Sequence, residues 1–140
     1  MNKKESKMKT LYEVPDSKEY IDLRLAAGLD QKEELVVKTA LSHTIFSVII
    51  RGDASELIGM GRIIGDGGCF FQIVDLIVRP SHQDQEIDDM ILYEILGYLG
   101  KNAPKDADVI AMADLSHVKF YQKYDFKLVY PDSYGMSKKL

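Results

Sequence analysis

The residues whose types and spacing suit chemistry are concentrated in one strand–loop–helix unit, which runs from Cys69 to Leu99. Its predicted strand, Cys69 to Val78, is apolar almost throughout, which is typical of a strand covered on both faces and central in its sheet. The loop leads into a helix predicted from about Glu86 to Lys101. A strand end leaves backbone groups free for a ligand, and a helix N-terminus offers unpaired amides to a phosphate. The unit therefore suits a cofactor with a pyrophosphate and an extended amide arm.

Other reactive side chains are expected to be structural. Cys69 follows two glycines at the start of the apolar strand, with no histidine beside it in sequence, which favours a buried, inert thiol. The three histidines are expected at the surface or at helix ends: His43, His82 and His117. No spacing of His, Cys and Asp suits a metal. Asp75 interrupts the apolar strand, and a buried carboxylate needs a partner.

The elements that position this unit alternate between strands and helices, which predicts a mixed α/β fold. A first helix is expected to be capped by Asp16 or Ser17 and to end at a left-handed Gly28, and a second is expected to be capped by Asp30. The strands predicted before the unit are Leu11–Val14, Ile45–Ile50 and Leu57–Ile64. The elements predicted after it are the strand Val109–Ala113, the helix Ser116–Tyr124 and two closing strands, Lys127–Tyr130 and Tyr134–Lys138.

Composition limits the classes of function. The chain has 140 residues, 46% hydrophobic and 29% charged, which fits a single globular domain. Its net charge of -4 argues against nucleic acid as a partner. With one cysteine and no apolar run approaching about 18 residues, we expect a cytoplasmic protein without a membrane span. The polar N-terminus predicts a disordered tail over residues 1–8, followed by a domain over residues 9–140.

Three segments in order resemble the GNAT N-acetyltransferase family. Val74–Gln83 resembles the strand and loop that receive acetyl-CoA, and Phe120–Phe126 is similar to the family's late tyrosine motif. The glycine turn followed by Cys69, Phe70 and Phe71 is similar to one small bacterial branch. The resemblance extends from about Lys9 to Leu140. It implies the acyl-CoA N-acyltransferase fold, a central, mostly antiparallel sheet flanked by helices, in a single-domain protein that is compatible with a homodimer.

The resemblance also implies roles for individual residues. The strand end consists of Leu76, Ile77 and Val78, and its main-chain groups would pair with the pantetheine arm of acetyl-CoA. One of their amides could polarise the thioester carbonyl. Tyr121 would protonate the leaving thiolate. Without the resemblance, a place in an aromatic core with Phe120 and Tyr124 is the favoured interpretation of this residue, and with the resemblance the catalytic role is favoured slightly. The attacking primary amine, of a small molecule or a peptide, must lose a proton. Asp75 and Asp114 are the candidate bases, and for Asp75 a structural hydrogen-bonding role stays open.

The loop that would bind the pyrophosphate departs from the family pattern, which is Gln or Arg, two residues, Gly, one residue, then Gly or Ala. The corresponding residues here are Gln83, Asp84, Gln85, Glu86, Ile87 and Asp88. Both small positions are therefore acidic, and each carboxylate near a phosphate repels it by on the order of 1 kcal/mol. This leaves a second hypothesis open: a protein with the GNAT fold that has lost acetyl-CoA binding and acts as a binding or interaction module.

Overall fold

The computed structural model describes residues 7–140 and contains one five-stranded sheet. The strands are β1 (Lys9–Leu11), β2 (Phe46–Arg51), β3 (Leu57–Gly65), β4 (Phe70–Val78) and β5 (Asp108–Ala111). The helices are α1 (Ser17–Ala26), α2 (Glu34–Ser42), α3 (Ile87–Asn102) and α4 (Val118–Gln122). The strand order is β1-β2-β3-β4-β5, and the first three pairs are antiparallel. The predicted mixed, mostly antiparallel sheet is confirmed. The predicted tail lies outside the described residues, apart from Lys7 and Met8.

Successive residues of a strand point to opposite faces of the sheet, so the apolar strands present side chains on both faces. Helices cover both of these faces. Met60 of β3 belongs to a buried cluster with Tyr20 and Leu23 of α1 and Val37 and Leu41 of α2. The strands contribute Ile49, Leu57 and Ile77 to the same cluster. Gly61, the neighbour of Met60, faces α3 instead, where an added Cβ would lie 2.6 Å from Ile91 Cγ2. Helices α1 and α2 therefore pack on one face, and α3 packs on the other.

The sequence signals at both ends of α1 are confirmed. Asp16 is the N-cap: its carboxylate accepts from the Lys18 amide, while the Glu19 side chain accepts from the Asp16 amide. At the other end Gly28 adopts a φ of +83°, and its amide donates to Leu25 O. The amide of Leu29 donates to Arg24 O, which completes the hydrogen-bond pattern typical of a glycine-terminated helix.

Two predictions for the N-terminal half are wrong in detail. Helix α2 begins at Glu34 and not next to Asp30, because the Asp30 carboxylate is engaged by the guanidinium of Arg24 on the preceding helix. Strand β1 is Lys9–Leu11 and not Leu11–Val14, because its pairing with β2 ends at Leu11. Tyr12 leaves the strand and stacks on Phe46 with 5.9 Å between ring centroids.

The chain divides into two compact units, up to Ile110 and from Ala111 to Leu140. Within the second unit, the predicted helix Ser116–Tyr124 is a 3₁₀ turn, Leu115–His117, followed by α4. The two predicted closing strands, Lys127–Tyr130 and Tyr134–Lys138, are wrong: these residues form no strand. Neither segment has a paired partner in the structure, and a strand requires one for its backbone hydrogen bonds.

Candidate active site

Strand β4 contains a β-bulge at the position where the sequence places Asp75. Met60 pairs with Ile77 and Arg62 pairs with Val74, so that Asp75 and Leu76 together lie opposite Gly61 alone. Asp75 has a φ of +56°, a left-handed conformation that aspartate tolerates better than most residues. A bulge of this kind bends the strand and redirects the residues that follow it. Those residues, 76–78, are the ones predicted to pair with the pantetheine arm.

The carboxylate of Asp75 is almost completely buried and has three polar partners. One oxygen, Oδ2, accepts from Arg62 Nε at 2.7 Å and from the Tyr20 hydroxyl at 2.8 Å. The other, Oδ1, lies 3.8 Å from Arg24 Nη1. The partner that a buried carboxylate requires is therefore present, as the hydrogen-bonding interpretation of Asp75 predicted. We call these four residues the Asp75 cluster.

The cluster reaches several elements of the fold. Arg62 is buried on β3 and also donates from Nη1 to Thr44 Oγ1 at 2.9 Å, and to Ala40 O at 3.4 Å. Tyr20 lies on α1, where burial, followed by the negative charge of Asp75, raises the pKa of its phenol. Tyr20 therefore stays protonated near neutral pH and can donate to the carboxylate. One side chain of β4 is in this way tied to α1, to β3 and to the end of α2.

Sequence reasoning missed Arg62 and Tyr20 as partners of Asp75. A signal for Arg62 was present, because it is the one charged residue in the apolar segment Leu57–Ile64, and the hairpin pairs that segment with the strand of Asp75. A cation and an anion that interrupt neighbouring apolar strands are natural partners. No comparable signal existed for Tyr20, whose place depends on how α1 packs on the sheet.

Arg79 fixes the end of β4 and the start of the loop. Its amide donates to Ile58 O at 2.7 Å. Its guanidinium donates to Leu57 O at 3.0 Å and to Asp22 at 3.1 Å. The loop then forms a 3₁₀ helix, Pro80–Gln85, on which Gln83, Asp84 and Gln85 are exposed. The loop that the resemblance assigns to the pyrophosphate thus starts from a firmly held strand end.

Glu86 connects this loop to α3 in a left-handed conformation, with φ +56° and ψ +33°. Glycine adopts such angles most easily, and glycine is the residue that the family pattern has at this position. Asp88 accepts a hydrogen bond from the Asp89 amide at 2.9 Å, so that a carboxylate occupies one amide of the first helical turn. Ile87 is fully buried and packs near Gly59 of β3. The backbone at Glu86 keeps the left-handed turn that glycine would form in the family pattern. The side chains of Glu86 and Asp88 are acidic, however, and carboxylates repel a phosphate.

Tyr121 and Asp114 belong to the unit from Ala111 to Leu140. The Tyr121 side chain is buried among aromatic rings, with ring centroids 5.2 Å from Phe120 and 5.3 Å from Phe126. Asp114 is exposed and accepts from Ser116 Oγ and His117 Nδ1, each at 2.8 Å. The hydrogen bond from His117 is the main cause that lowers the pKa of Asp114, which makes this carboxylate a weaker base. The general-acid role of Tyr121 stays a prediction.

The prediction of a buried Cys69 is wrong, because this residue is exposed. Strand β4 begins only at Phe70, and Cys69 lies in the preceding turn. There the Asp66 carboxylate accepts from the amides of Gly68 and Cys69 at 2.8 Å and from that of Phe70 at 3.0 Å. Phe70 is exposed and Phe71 is buried, which confirms that they face opposite sides of the sheet.

Within residues 7–140, no group of three or more His, Cys, Asp or Glu side chains is arranged to hold a metal ion. Over the same residues, every helix is too short or too polar to span a bilayer.

Comparison with known proteins gives consistent results for the whole described fold. A family model described as an acetyltransferase (GNAT) domain matches residues 27–135. A probable acetyltransferase of unknown function from meticillin-resistant Staphylococcus aureus is 36% identical, with a TM-score of 0.89 over 96% of this chain and 100% of that one. A GNAT-family acetyltransferase from Streptococcus pneumoniae is 26% identical, with a TM-score of 0.76 over 97% and 98% of the two chains. A search of curated proteins found no match.

A more distant structure was solved with a ligand. It is a GNAT-family N-acetyltransferase from Escherichia coli in complex with CoA, 16% identical to this chain. Its TM-score is 0.68, over 91% of this chain and 73% of that one. At this level of identity the comparison shows a shared fold.

Proposed function

Because this chain belongs to the GNAT acetyltransferase family, we propose that it transfers an acetyl group from acetyl-CoA directly to a primary amine of a small molecule or peptide. The observation that carries the proposal is the bulge in β4, which redirects residues 76–78 at the position where the resemblance places the pantetheine arm. The single cysteine and the absence of a spanning helix from residues 7–140 are compatible with the cytoplasmic location that we propose.

Each part of the unit has a role in this proposal. Acetyl-CoA supplies the activated acetyl thioester. Main-chain groups of Leu76, Ile77 and Val78 bind the extended arm as an added strand would, and one amide stabilises charge on the carbonyl oxygen in the transition state. The loop from Gln83 to Asp88 leads the pyrophosphate to the N-terminus of α3. Tyr121 donates the proton that the departing thiolate needs, and the proton that the attacking amine loses passes through a base or a water chain, which restores the Tyr121 hydroxyl.

Isothermal titration of the purified chain with acetyl-CoA tests the proposal. We expect measurable heat, together with a rise in melting temperature, because a ligand that binds the folded state alone stabilises that state. An acetylation assay with a panel of primary amines, read out by the release of free CoA thiol, then tests turnover. If millimolar acetyl-CoA gives neither heat nor a thermal shift, the proposal is wrong.

A second candidate function is favoured by one observation, the carboxylates at the start of α3. Asp88 occupies the Asp89 amide, and Glu86 adds another negative charge beside it. A protein that keeps the fold but has lost acetyl-CoA could act as a binding or interaction module. This hypothesis predicts that Glu86→Gly combined with Asp88→Gly creates acetyl-CoA binding that the native chain lacks. Tight binding by the native chain would exclude it.

A further inference from the structure

The Asp75 cluster holds the bulge of β4 from several sides. We propose that Arg62 and Tyr20 are positioning residues that fix the Asp75 carboxylate and so hold Asp75 in its left-handed conformation, with Asp75 serving as the anchor of the bulge and not as the general base. The inference deepens the proposed function and rests on it, because the bulge sets the direction of the strand end that would receive the acyl-CoA arm.

The first argument concerns the backbone. Asp75 is a residue with a side chain at a φ of +56° in the middle of a strand, where regular pairing would require a negative φ. Without the bulge, the residues after Asp75 would shift by one position against β3, and each side chain would turn to the other face. Some interaction must therefore favour the bulged arrangement over regular pairing. The buried hydrogen bonds of the Asp75 side chain are the contacts in a position to do so.

The second argument concerns where the carboxylate is held. Arg62 Nε and the Tyr20 hydroxyl both donate to the same oxygen, Oδ2, at 2.7 and 2.8 Å. Arg62 is itself fixed through Nη1 by Thr44 Oγ1, and its side chain is only 8% exposed. The guanidinium therefore cannot follow a displaced carboxylate. Arg62 therefore stays in place, and its hydrogen bond to Asp75 stabilises the bulge.

The third argument separates anchoring from base catalysis. If Asp75 accepted a proton from an amine, it would lose its charge, and Arg62 would be left as a buried, unpaired cation. Arg24, 3.8 Å from the carboxylate, would at the same time lose one of its two charged partners and keep only Asp30. The Asp75 carboxylate is thus held by three neighbouring donors, which suits a fixed anchor better than a group that must bind and release protons in each turnover.

Two substitutions of Asp75 separate the two roles. Asp75→Asn keeps an acceptor oxygen for Arg62 and tolerates a left-handed φ, so we expect kcat to stay within about fivefold of the native value, while the melting temperature falls because Arg62 loses its charged partner. A general base replaced by an amide would instead lose about 10²- to 10⁴-fold in kcat. Asp75→Ala removes the anchor and disfavours the left-handed φ, so we expect acetyl-CoA affinity to fall by about tenfold or more.

The partners are tested with variants that should still fold. Tyr20→Phe removes one hydrogen bond to the carboxylate, and we expect a higher KM for acetyl-CoA with kcat unchanged. Arg62→Met is combined with Asp75→Gly, because glycine allows the left-handed φ and the pair leaves no buried unpaired charge. For this double variant we expect weakened acetyl-CoA binding at near-native melting temperature. A purely structural role would lower the melting temperature of Tyr20→Phe and leave its KM unchanged.

A ligand-free measurement separates this inference from the proposed function. Backbone NMR couplings report the sign of φ at position 75 directly. The inference is supported if Asp75→Asn retains the positive φ and Asp75→Ala loses it, and it is overturned if Asp75→Ala keeps both the positive φ and the affinity. Loss of turnover in Asp75→Asn with intact affinity would also overturn it. If the native chain does not bind acetyl-CoA, the proposed function fails. The NMR result alone then decides whether the Asp75 side chain anchors the bulge.

Discussion

At the scale of single residues, Glu86 combines the backbone angles of a glycine with an exposed, charged side chain. The sequence located this position through the family pattern, because the spacing from Gln83 is preserved. It did not show that the left-handed turn survives the loss of glycine, since a glutamate by itself disfavours that conformation. The left-handed turn at Glu86 is present although glutamate itself disfavours that conformation.

Replacing Glu86 with glycine should therefore stabilise the protein. We expect Glu86→Gly to raise the free energy of unfolding by about 1 kcal/mol, because glycine adopts a φ of +56° without steric strain. Denaturant unfolding measures the change. The matched control is Glu86→Gln, which removes the charge, keeps the strained conformation and should bring no comparable gain. A destabilised Glu86→Gly would contradict this account of the turn.

Substitution of Tyr121 tests whether its hydroxyl takes part in catalysis. We expect Tyr121→Phe to lower kcat by about 10²-fold while the dissociation constant for CoA stays unchanged, because the ring is retained and the proton donor is lost. Steady-state kinetics and calorimetry provide the two values. Tyr124→Phe, in the turn after the same helix, is the control and should keep its activity. Equal kcat values for native and Tyr121→Phe would assign Tyr121 to the aromatic core.

The sequence predicts part of the site at this scale. It shows that Asp75 interrupts an apolar strand and so needs a partner, which the structure confirms. It cannot show that the carboxylate meets both Arg62 and Tyr20, because their meeting depends on strand register and on the packing of α1. The prediction for Cys69 is wrong for a similar reason. One residue of difference in where β4 begins decides whether the thiol is buried or exposed.

At the scale of elements, α3 packs closely on β3 because two glycines of β3 face it. An added Cβ at Gly61 would lie 2.6 Å from Ile91 Cγ2 and 2.9 Å from Ile95 Cδ1, and one at Gly59 would lie 3.1 Å from Ile87 Cγ2. Three isoleucines of the helix thus lie directly over the strand. The position of α3, and with it the loop before the helix, depends on this contact.

We expect Gly61→Ala to destabilise the protein by about 1–3 kcal/mol, because the added methyl group overpacks the contact between α3 and β3. Thermal unfolding measures the effect. Gly97→Ala, within α3, is the matched control: an added Cβ there meets no atom within 4 Å. Alanine favours a helix by up to about 1 kcal/mol over glycine, so this variant should gain stability. A neutral Gly61→Ala would show that the helix can move without cost.

Elements were predicted best where a local signal marks their ends. Asp16 and Gly28 bound α1 through backbone hydrogen bonds that the sequence itself specifies. The predictions Lys127–Tyr130 and Tyr134–Lys138 had no such signal at their ends. Apolar and aromatic residues show that a segment could form a strand, but the hydrogen bonds of a strand come from a partner that local sequence does not identify.

At the scale of the whole molecule, the ion pair between Glu19 and Arg51 joins α1 to β2 through two hydrogen bonds of 2.6 and 2.9 Å. The hydrogen bond from Arg51 is the largest cause that lowers the pKa of Glu19 from its usual value of 4.5. A carboxyl whose pKa is lower in the folded state than in the unfolded state stabilises the fold at pH values above the unfolded-state pKa. That stabilisation disappears as the pH falls through the folded-state pKa. The Glu19–Arg51 pair should therefore stabilise the fold at neutral pH and not in strong acid.

The variant Glu19→Gln tests this contribution, because the amide oxygen still caps α1. At pH 7 we expect it to be less stable than the native chain by about 1 kcal/mol. The difference should persist down to about pH 5 and vanish well below 4.5, the usual pKa of the group. Denaturant unfolding across this pH series provides the comparison. Glu33→Gln, at an exposed N-cap without a side-chain cap bond, is the control and should show a smaller difference at pH 7. A Glu19→Gln difference independent of pH would exclude the ion pair as its cause.

The order of strands and helices up to β5 was predictable as a whole. Caps, glycine turns and apolar runs mark those elements in the sequence, and three family-like segments indicate how they assemble. Net charge and cysteine content restricted the class of partner but did not indicate a substrate. Tertiary contacts between elements distant in sequence, such as Glu19 with Arg51, became visible only in three dimensions.

The turn before β4 has a practical consequence for spectroscopy. Cys69 is the only cysteine of the chain and its thiol is exposed, so a maleimide dye or a nitroxide spin label would attach at one defined point. The carbonyl of the same residue accepts from the Asp108 amide at 2.9 Å, which places the label beside the first residues of both β4 and β5. Changes in the environment or mobility of the label on addition of a ligand would then report on this edge of the sheet in the native sequence.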